Sequence, residues 1–194
     1  KNAFGTFFIG AGTAFYAALA GSYFFSKIAK RHVNTIAASE FNYLEDFLTD
    51  KSLVIALSQS GETIDVVEPL QRASKKGAKI AAITNVLGST IYRISDFKML
   101  LNAGPEKAVA STKAYIAKLA ILLMTSYSLA GKIKEGSKIL LKTAEEIERI
   151  LKNEGLFKKI AGDIKGSENV YIIGRGASFP SALEGALKIK EVSY

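Results

Sequence analysis

The sequence predicts an α/β protein: a doubly wound, parallel five-stranded sheet flanked by helices, followed by the first strand and helix of a second such domain. Three observations predict it. Short apolar runs alternate with helical stretches through residue 102. The central runs, LVIAL (53–57) and KIAAIT (79–84), are apolar at almost every position, as strands are when helices cover both faces of a parallel sheet. The segment FFIGAGTAFYAALAG (7–21) also returns as YIIGRGASFPSALEG (171–185), sharing seven of fifteen positions at an offset of 164. A repeat that long marks a duplicated domain rather than a solenoid unit.

The elements follow in order. GTFFIG (5–10) is the first strand, ending in a glycine turn, with a helix near 14–30. VNTIAA (33–38) is the second strand, and 40–47 is expected to be helical. LVIAL (53–57) leads to a helix over 62–76, and KIAAIT (79–84) to a short helix over 88–93. DFKMLLN (96–102) is the fifth strand. The rhythm then changes. Residues 111–131 read as one long helix ended by Gly131, and 135–152 and 154–165 read as two more. VYIIG (170–174) restarts the strand pattern. Residues 1–165 are therefore assigned to a first domain and 166–194 to the truncated start of a second. On that reading the chain is a fragment of a longer one. Its orphan strand is expected to add to an edge of the first sheet, swap into a neighbour, or lie on the core.

Composition removes several function classes. Lys and Arg total 26 against 18 Asp and Glu, a net charge of +8. These cations are spread along the chain, with no Arg-rich arm or aromatic RNA motif. The reading is a solvated surface, with no nucleic-acid partner. The chain has no cysteine, which excludes disulfides and a thiol nucleophile and fits a reducing cytoplasm. The single histidine, His32, ends a predicted helix beside Arg31 and reads as a surface or C-cap residue. A histidine-based zinc site is excluded by count, so no metal is expected. The start, KNAFGTFFIG, runs straight into a strand and is not read as a signal peptide. AYIAKLAILLMTSYSLA (114–130) carries Lys118 and is shorter than the roughly 20 apolar residues of a membrane span. It reads as a buried helix, in the core or at a subunit contact.

Open α/β sheets bind ligands at the carboxyl ends of their strands. Three loops there have suitable composition. LSQSGET (57–63) leaves a strand through small hydroxyl residues and opens a helix. Unpaired N–H groups and the macrodipole at a helix start favour an anion. Ser58, Ser60 and Thr63 can donate through hydroxyls and Gln59 through its amide. No lysine stands in the loop, so the expectation is a phosphate held by neutral donors, with no metal and no cationic help. A plain N-cap by Ser60 or Thr63 is the alternative. A Walker A pattern is absent, which argues against an ATPase.

GAGTAF (10–15) has two glycines of a dinucleotide fingerprint but Phe15 in place of the third, so no nucleotide cofactor is expected. Thr13 can bond a ligand hydroxyl or cap the helix. AVASTKAY (108–115) puts Ser111 and Thr112 where an N-cap belongs, while loop 104–110 can reach over the same pocket. Finally, LEGALKIKEVSY (183–194) sets Glu184, Lys188 and Glu191 on one helix face. They form either a surface ion-pair ladder or a general base, Glu191, with Lys188 shaping its charge environment.

LSQSGET, ASEFNY (38–43), NAG with AVASTKAY, and GRG with ALEGALKIKEVSY together resemble the isomerase half of the glutamine:fructose-6-phosphate amidotransferase family, a pair of sugar isomerase (SIS) domains. The resemblance covers residues 7 to 194. It implies a flavodoxin-like SIS fold and accounts for the repeat. It implies that Ser58, Gln59, Ser60 and Thr63 hold a sugar phosphate, that Thr13 touches the sugar, and that Val109 (through its backbone) and Ser111 lie close. Ala14 stands where the family usually has a serine, which removes one sugar contact, and Ala11 where it often has cysteine. Glu191 matches the glutamate that moves a proton between C1 and C2, and Lys188 the lysine one turn before it.

The resemblance also implies a ring-opening histidine and a Schiff-base lysine beyond Tyr194, and a glutaminase domain in the parent chain. The fragment is accordingly expected to bind fructose 6-phosphate or glucosamine 6-phosphate and to turn it over poorly, as a homodimer in the cytoplasm. A related SIS deaminase or aldose–ketose isomerase, or a non-catalytic sugar-phosphate sensor, fits the same loop.

Overall fold

The computed structural model describes residues 5–193; residues 1–4 of the expected first domain and Tyr194 of the last motif lie outside the described residues. Five strands form one sheet: β1 (Thr6–Gly10), β2 (Asn34–Ala37), β3 (Leu53–Ser58), β4 (Lys79–Thr84) and β5 (Phe97–Leu100). Every pairing is parallel, in the order β2-β1-β3-β4-β5.

Alternation along each central strand sends side chains to two cores. Phe7, Ile9, Val54, Ala56 and Ile80 face one side. Three short helices close it: α2 (Ala38–Phe41), α3 (Ile64–Lys75) and α4 (Thr90–Ile94). Phe41, Val66, Leu70 and Ile91 complete that cluster. Phe8, Leu57 and Ile83 face the other side. There α1 (Thr13–Phe24), extended by a π-helical turn over Phe25–Ala29, packs with α5 (Lys113–Leu129). Burying each such Leu, Ile or Phe side chain contributes about 1.5–3 kcal/mol. This is why β3, and β4 after its exposed first residue Lys79, carry no polar residue before their carboxyl ends.

The strand order creates the crevice. From β1 the chain goes outward to β2, then crosses back to β3. Helices α1 and α3 therefore leave opposite faces of the sheet, and their starting turns diverge at adjacent strand ends. Between them α5 lies close over α1. A Cβ at Gly21 of α1 would meet Leu122 Cδ1 at 2.8 Å, so a larger residue there would have to displace the Leu122 side chain.

Three expectations need correction. The helix expected over 40–47 is only the short α2, followed by turns. Arg72 of α3 donates to Asn42 and pairs with Glu45 at 2.9 Å, while Lys76 donates to the Glu45 carbonyl at 3.0 Å. These contacts draw the segment along α3. The strand expected at 170–174 does not form, and its residues are exposed. It joins neither sheet edge, so its backbone has no ladder partner, and it does not lie on the core. The turn and helix of the repeat do form. Gly12 and Gly176, equivalent positions, both take positive φ (51° and 60°), and α8 (Ser178–Ser193) follows as α1 does. The long helix begins at Lys113 with neither Ser111 nor Thr112 capping it by a side chain. Glu106 Oε1 accepts the Ala114 N–H instead, at 2.9 Å. The two helices expected between this helix and the repeat are α6 (Ile133–Leu151) and α7 (Glu154–Ile164).

Leu122→Ala opens a cavity under α5 and is expected to cost roughly 2–5 kcal/mol in urea unfolding. Leu141→Ala, on the 68% exposed surface of α6, is expected to stay within about 0.5 kcal/mol.

Candidate functional site

At the crevice lies a cavity of about 170 Å³, far more than the roughly 15 Å³ one water needs. Three elements line it. The β1–α1 turn gives Ala11, Thr13 and Ala14. The β3–α3 loop gives Ser58, Gln59, Ser60 and Thr63. The start of α5 gives Ser111 and Lys118.

The β3–α3 loop is a folded unit. Ser58 Oγ accepts the Gly61 N–H at 3.0 Å and shares a hydrogen bond with Thr63 Oγ1 at 3.2 Å. Ser60 Oγ accepts the Glu62 N–H at 3.2 Å. Gly61 is required: its φ is +70°, and a Cβ there would stand 2.0 Å from Ser89 Oγ. Glu62 turns away, accepting the Thr90 N–H at 2.8 Å, and hydrogen bonds from Thr90 hold its carboxyl below the ordinary value. Thr63 is the N-cap residue of α3 by position but makes no side-chain cap bond. The Val66 N–H donates to the Thr63 carbonyl at 2.9 Å, which leaves the Ile64 and Asp65 N–H groups at the start of α3 with capacity for an anion. The serines are bonded to their own loop, yet they still border open space.

The second half of the site is α8, docked on α1. Thr13 Oγ1 donates to Glu184 Oε1 at 3.1 Å and accepts from Lys188 Nζ at 3.0 Å. Lys188 also pairs with Glu184 at 3.5 Å and with Glu191. The ladder read from the sequence is real, but it is an interior one. Glu184 is buried, and desolvation pushes its carboxyl up, against the pull of Lys188 and Thr13. Thr13 is thus neither a cap nor idle. It ties the β1–α1 turn to the carboxylate pair. Val109 is 92% exposed and does not line the cavity, whereas Ser111 does, its Oγ buried without a hydrogen-bond partner among the described residues.

Beside the uncharged loop stands one cation, Lys118, which lines the cavity and is only 1% exposed. It sits in the buried stripe Ala114, Lys118, Leu122, Ser126 of α5. That spacing, a lysine at i+4 between two apolar residues, is the signal in the sequence. Burial pushes its ammonium down to about 8; Glu106 and Glu184 oppose this and Lys188 adds to it. Burial, helped by the Glu184 charge, pushes the Tyr115 hydroxyl up. No group of three or more potential metal ligands occurs among the described residues. Nor is any described helix long and apolar enough to cross a membrane.

Residues 4–126 match the family model described as SIS domain. The chain belongs to the SIS domain family. It is similar to the isomerising glutamine–fructose-6-phosphate aminotransferase of Thermococcus kodakarensis, 42% identical over 196 residues, covering 96% of this chain and 33% of that protein. The protein of the same name from Thermotoga maritima is 40% identical over 205 residues, covering 100% of this chain and 33% of its own length. The chain thus spans about a third of these curated relatives. Among solved structures, the C-terminal domain of glucosamine-fructose-6-phosphate aminotransferase from Francisella tularensis superimposes with a TM-score of 0.85 at 33% identity. That match covers 100% of this chain and 57% of that one. The five-stranded parallel SIS domain expected from the sequence is therefore the one observed.

Lys118 carries a further consequence for stability. Its folded-state value, about 8, lies below the ordinary 10.5. Between those pH values the unfolded chain binds more protons, so this residue makes stability rise with pH. Lys118→Met removes the buried charge and is expected to raise stability at pH 7 by up to about 3 kcal/mol and to flatten that rise, read as Tm against pH.

Proposed function

We propose that this chain is the sugar-phosphate-binding part of an isomerising glutamine–fructose-6-phosphate aminotransferase, a protein that converts fructose 6-phosphate and ammonia to glucosamine 6-phosphate. One observation carries the reading. A single cavity brings an anion-suited loop, Ser58 to Thr63, within reach of a turn, Gly10 to Ala14, that is tied to the Lys188–Glu191 pair.

On this reading the phosphoryl group sits on Ser58, Gln59, Ser60 and Thr63 at the start of α3. Thr13 orients the sugar, Ala14 leaves one hydroxyl unheld, and Ser111 closes over it. Glu191 takes a proton from one carbon beside the carbonyl or imine and returns it to the neighbouring carbon. Lys188 holds that carboxylate in place. Anchoring the phosphate away from the reacting carbons lets remote binding energy serve the transition state. A non-catalytic sensor needs the loop alone; the ordered Thr13–Glu184–Lys188–Glu191 contacts favour the enzyme.

The same reading puts a glutaminase domain in the parent chain as the ammonia source, pairs two copies as a homodimer, and sets the protein in the cytoplasm. Residues 1–165 form its first SIS domain and 166–194 open the second. The fragment binds the sugar phosphate and turns it over poorly.

Isothermal titration tests this. Fructose 6-phosphate is expected to give saturable heat that inorganic phosphate displaces and that fructose does not reproduce. Ser58→Ala with Thr63→Ala is expected to weaken binding by roughly ten-fold or more, one lost hydrogen bond to a charged group being about 1.5–3 kcal/mol. No heat from the sugar phosphate overturns the proposal.

A further inference from the structure

The roles above leave one charge on the cavity wall without a task. Lys118 is 1% exposed, and its side chain borders the same cavity as Ser58, Ser60 and Thr63. Removing an ammonium from water is costly unless it is paired and hydrogen-bonded. Yet neither carboxylate near it is hydrogen-bonded to it. Glu184 pairs with Lys188 through Oε1, its Oε2 being buried without a hydrogen-bond partner among the described residues, and Glu106 accepts the Ala114 N–H. Neither forms an ion pair with Lys118. Beside it Ser111 Oγ is buried, lines the cavity and has no partner among the described residues. A buried cation in α5 and a buried free hydroxyl in the segment just before it, both facing one cavity, are a binding surface awaiting an anion.

We infer that Lys118, with Ser111, is a further phosphate-binding group of this site, supplying the positive charge that the serine-rich loop lacks. This inference rests on the sugar-phosphate reading and deepens it. The loop contributes dipoles and hydroxyls, which hold a phosphoryl group of either charge. A lysine adds preference for the dianion and against unphosphorylated sugars.

The charge also makes the site pH-dependent. The groups facing Lys118 are Glu106 from the loop before α5, and Glu184 and Lys188 from α8. The β3–α3 loop and the β1–α1 turn present only uncharged residues to the cavity. With burial dominant, the empty site holds the lysine near 8. A bound dianion raises that value. Binding therefore takes up a proton above pH 8, and affinity falls as pH rises. Below about pH 6 the phosphate monoester itself loses its second charge, and affinity falls there too.

Titration of fructose 6-phosphate into the wild-type chain, K118M and K118Q at pH 5.5, 7.5 and 9.5 tests this, with circular dichroism confirming that each variant is folded. The wild type is expected to bind best at pH 7.5 and about ten-fold more weakly at pH 9.5. Both variants are expected to bind roughly 10- to 100-fold more weakly at pH 7.5 and to lose the alkaline decline. Variants that are folded and bind like the wild type, with the same pH profile, overturn the inference while leaving the sugar-phosphate reading intact. A wild-type chain that binds fructose 6-phosphate at none of these pH values overturns that reading, and this inference with it.

Discussion

The site depends on one topological constraint: β1 and β3 are neighbours, but their following helices must leave on opposite faces of the sheet. Each face has its own apolar core to close, so α1 cannot follow α3. The two starting turns are forced apart where the strands end, and backbone N–H groups of two helix starts are exposed to one space. The local chemistry elaborates this gap. Gly61 lets the β3–α3 loop fold against Ser89, and Ser58 fixes that loop from beneath through the Gly61 N–H and Thr63. The hydroxyls that give the loop its shape also border the cavity. Shape and binding capacity are therefore one property there.

Two further helices turn a crevice into a polar pocket. Helix α5, packed on α1 with Leu122 against Gly21, brings Lys118 to it, and the segment just before α5 brings Ser111. Helix α8 brings Glu184 and Lys188 to Thr13, with Glu191 paired to Lys188. Low solvent access links these charges: Glu184 is pushed up by burial while Lys118 is pushed down by it. In such a setting, adding or removing a single charge matters more than it would at the surface. A substrate anion entering between them changes the balance of the whole cluster.

Much of this was visible in the sequence, and the exceptions have physical causes. Strands β1, β3 and β4 are buried on both faces, so their apolar runs are nearly continuous and local pattern suffices. The loop at Ser58 to Thr63 was readable because its composition suits one task at a helix start. VYIIG carries the same strand pattern, but a strand exists only when another strand pairs with it, and none does so among the described residues. The segment 42–47 has helical spacing, yet Arg72 and Lys76, some thirty residues on, decide its path. The cap of α5 came from Glu106, eight residues before the Ala114 N–H that it accepts, where serine and threonine stood closer. Lys118 was visible as an oddity in an apolar helix. Its meaning depended on knowing that this stripe of α5 overhangs the β1–β3 gap, which no local pattern states.

A crystal structure of the chain soaked with fructose 6-phosphate tests the central claim most directly. The account predicts one sugar in the β1–β3 crevice, with its phosphoryl oxygens on Ser58, Ser60, Thr63 and the first-turn N–H groups of α3, and with Glu191 facing the carbonyl end. A phosphoryl group bound anywhere else on the molecule, or a crevice that stays empty at saturating ligand, would contradict it.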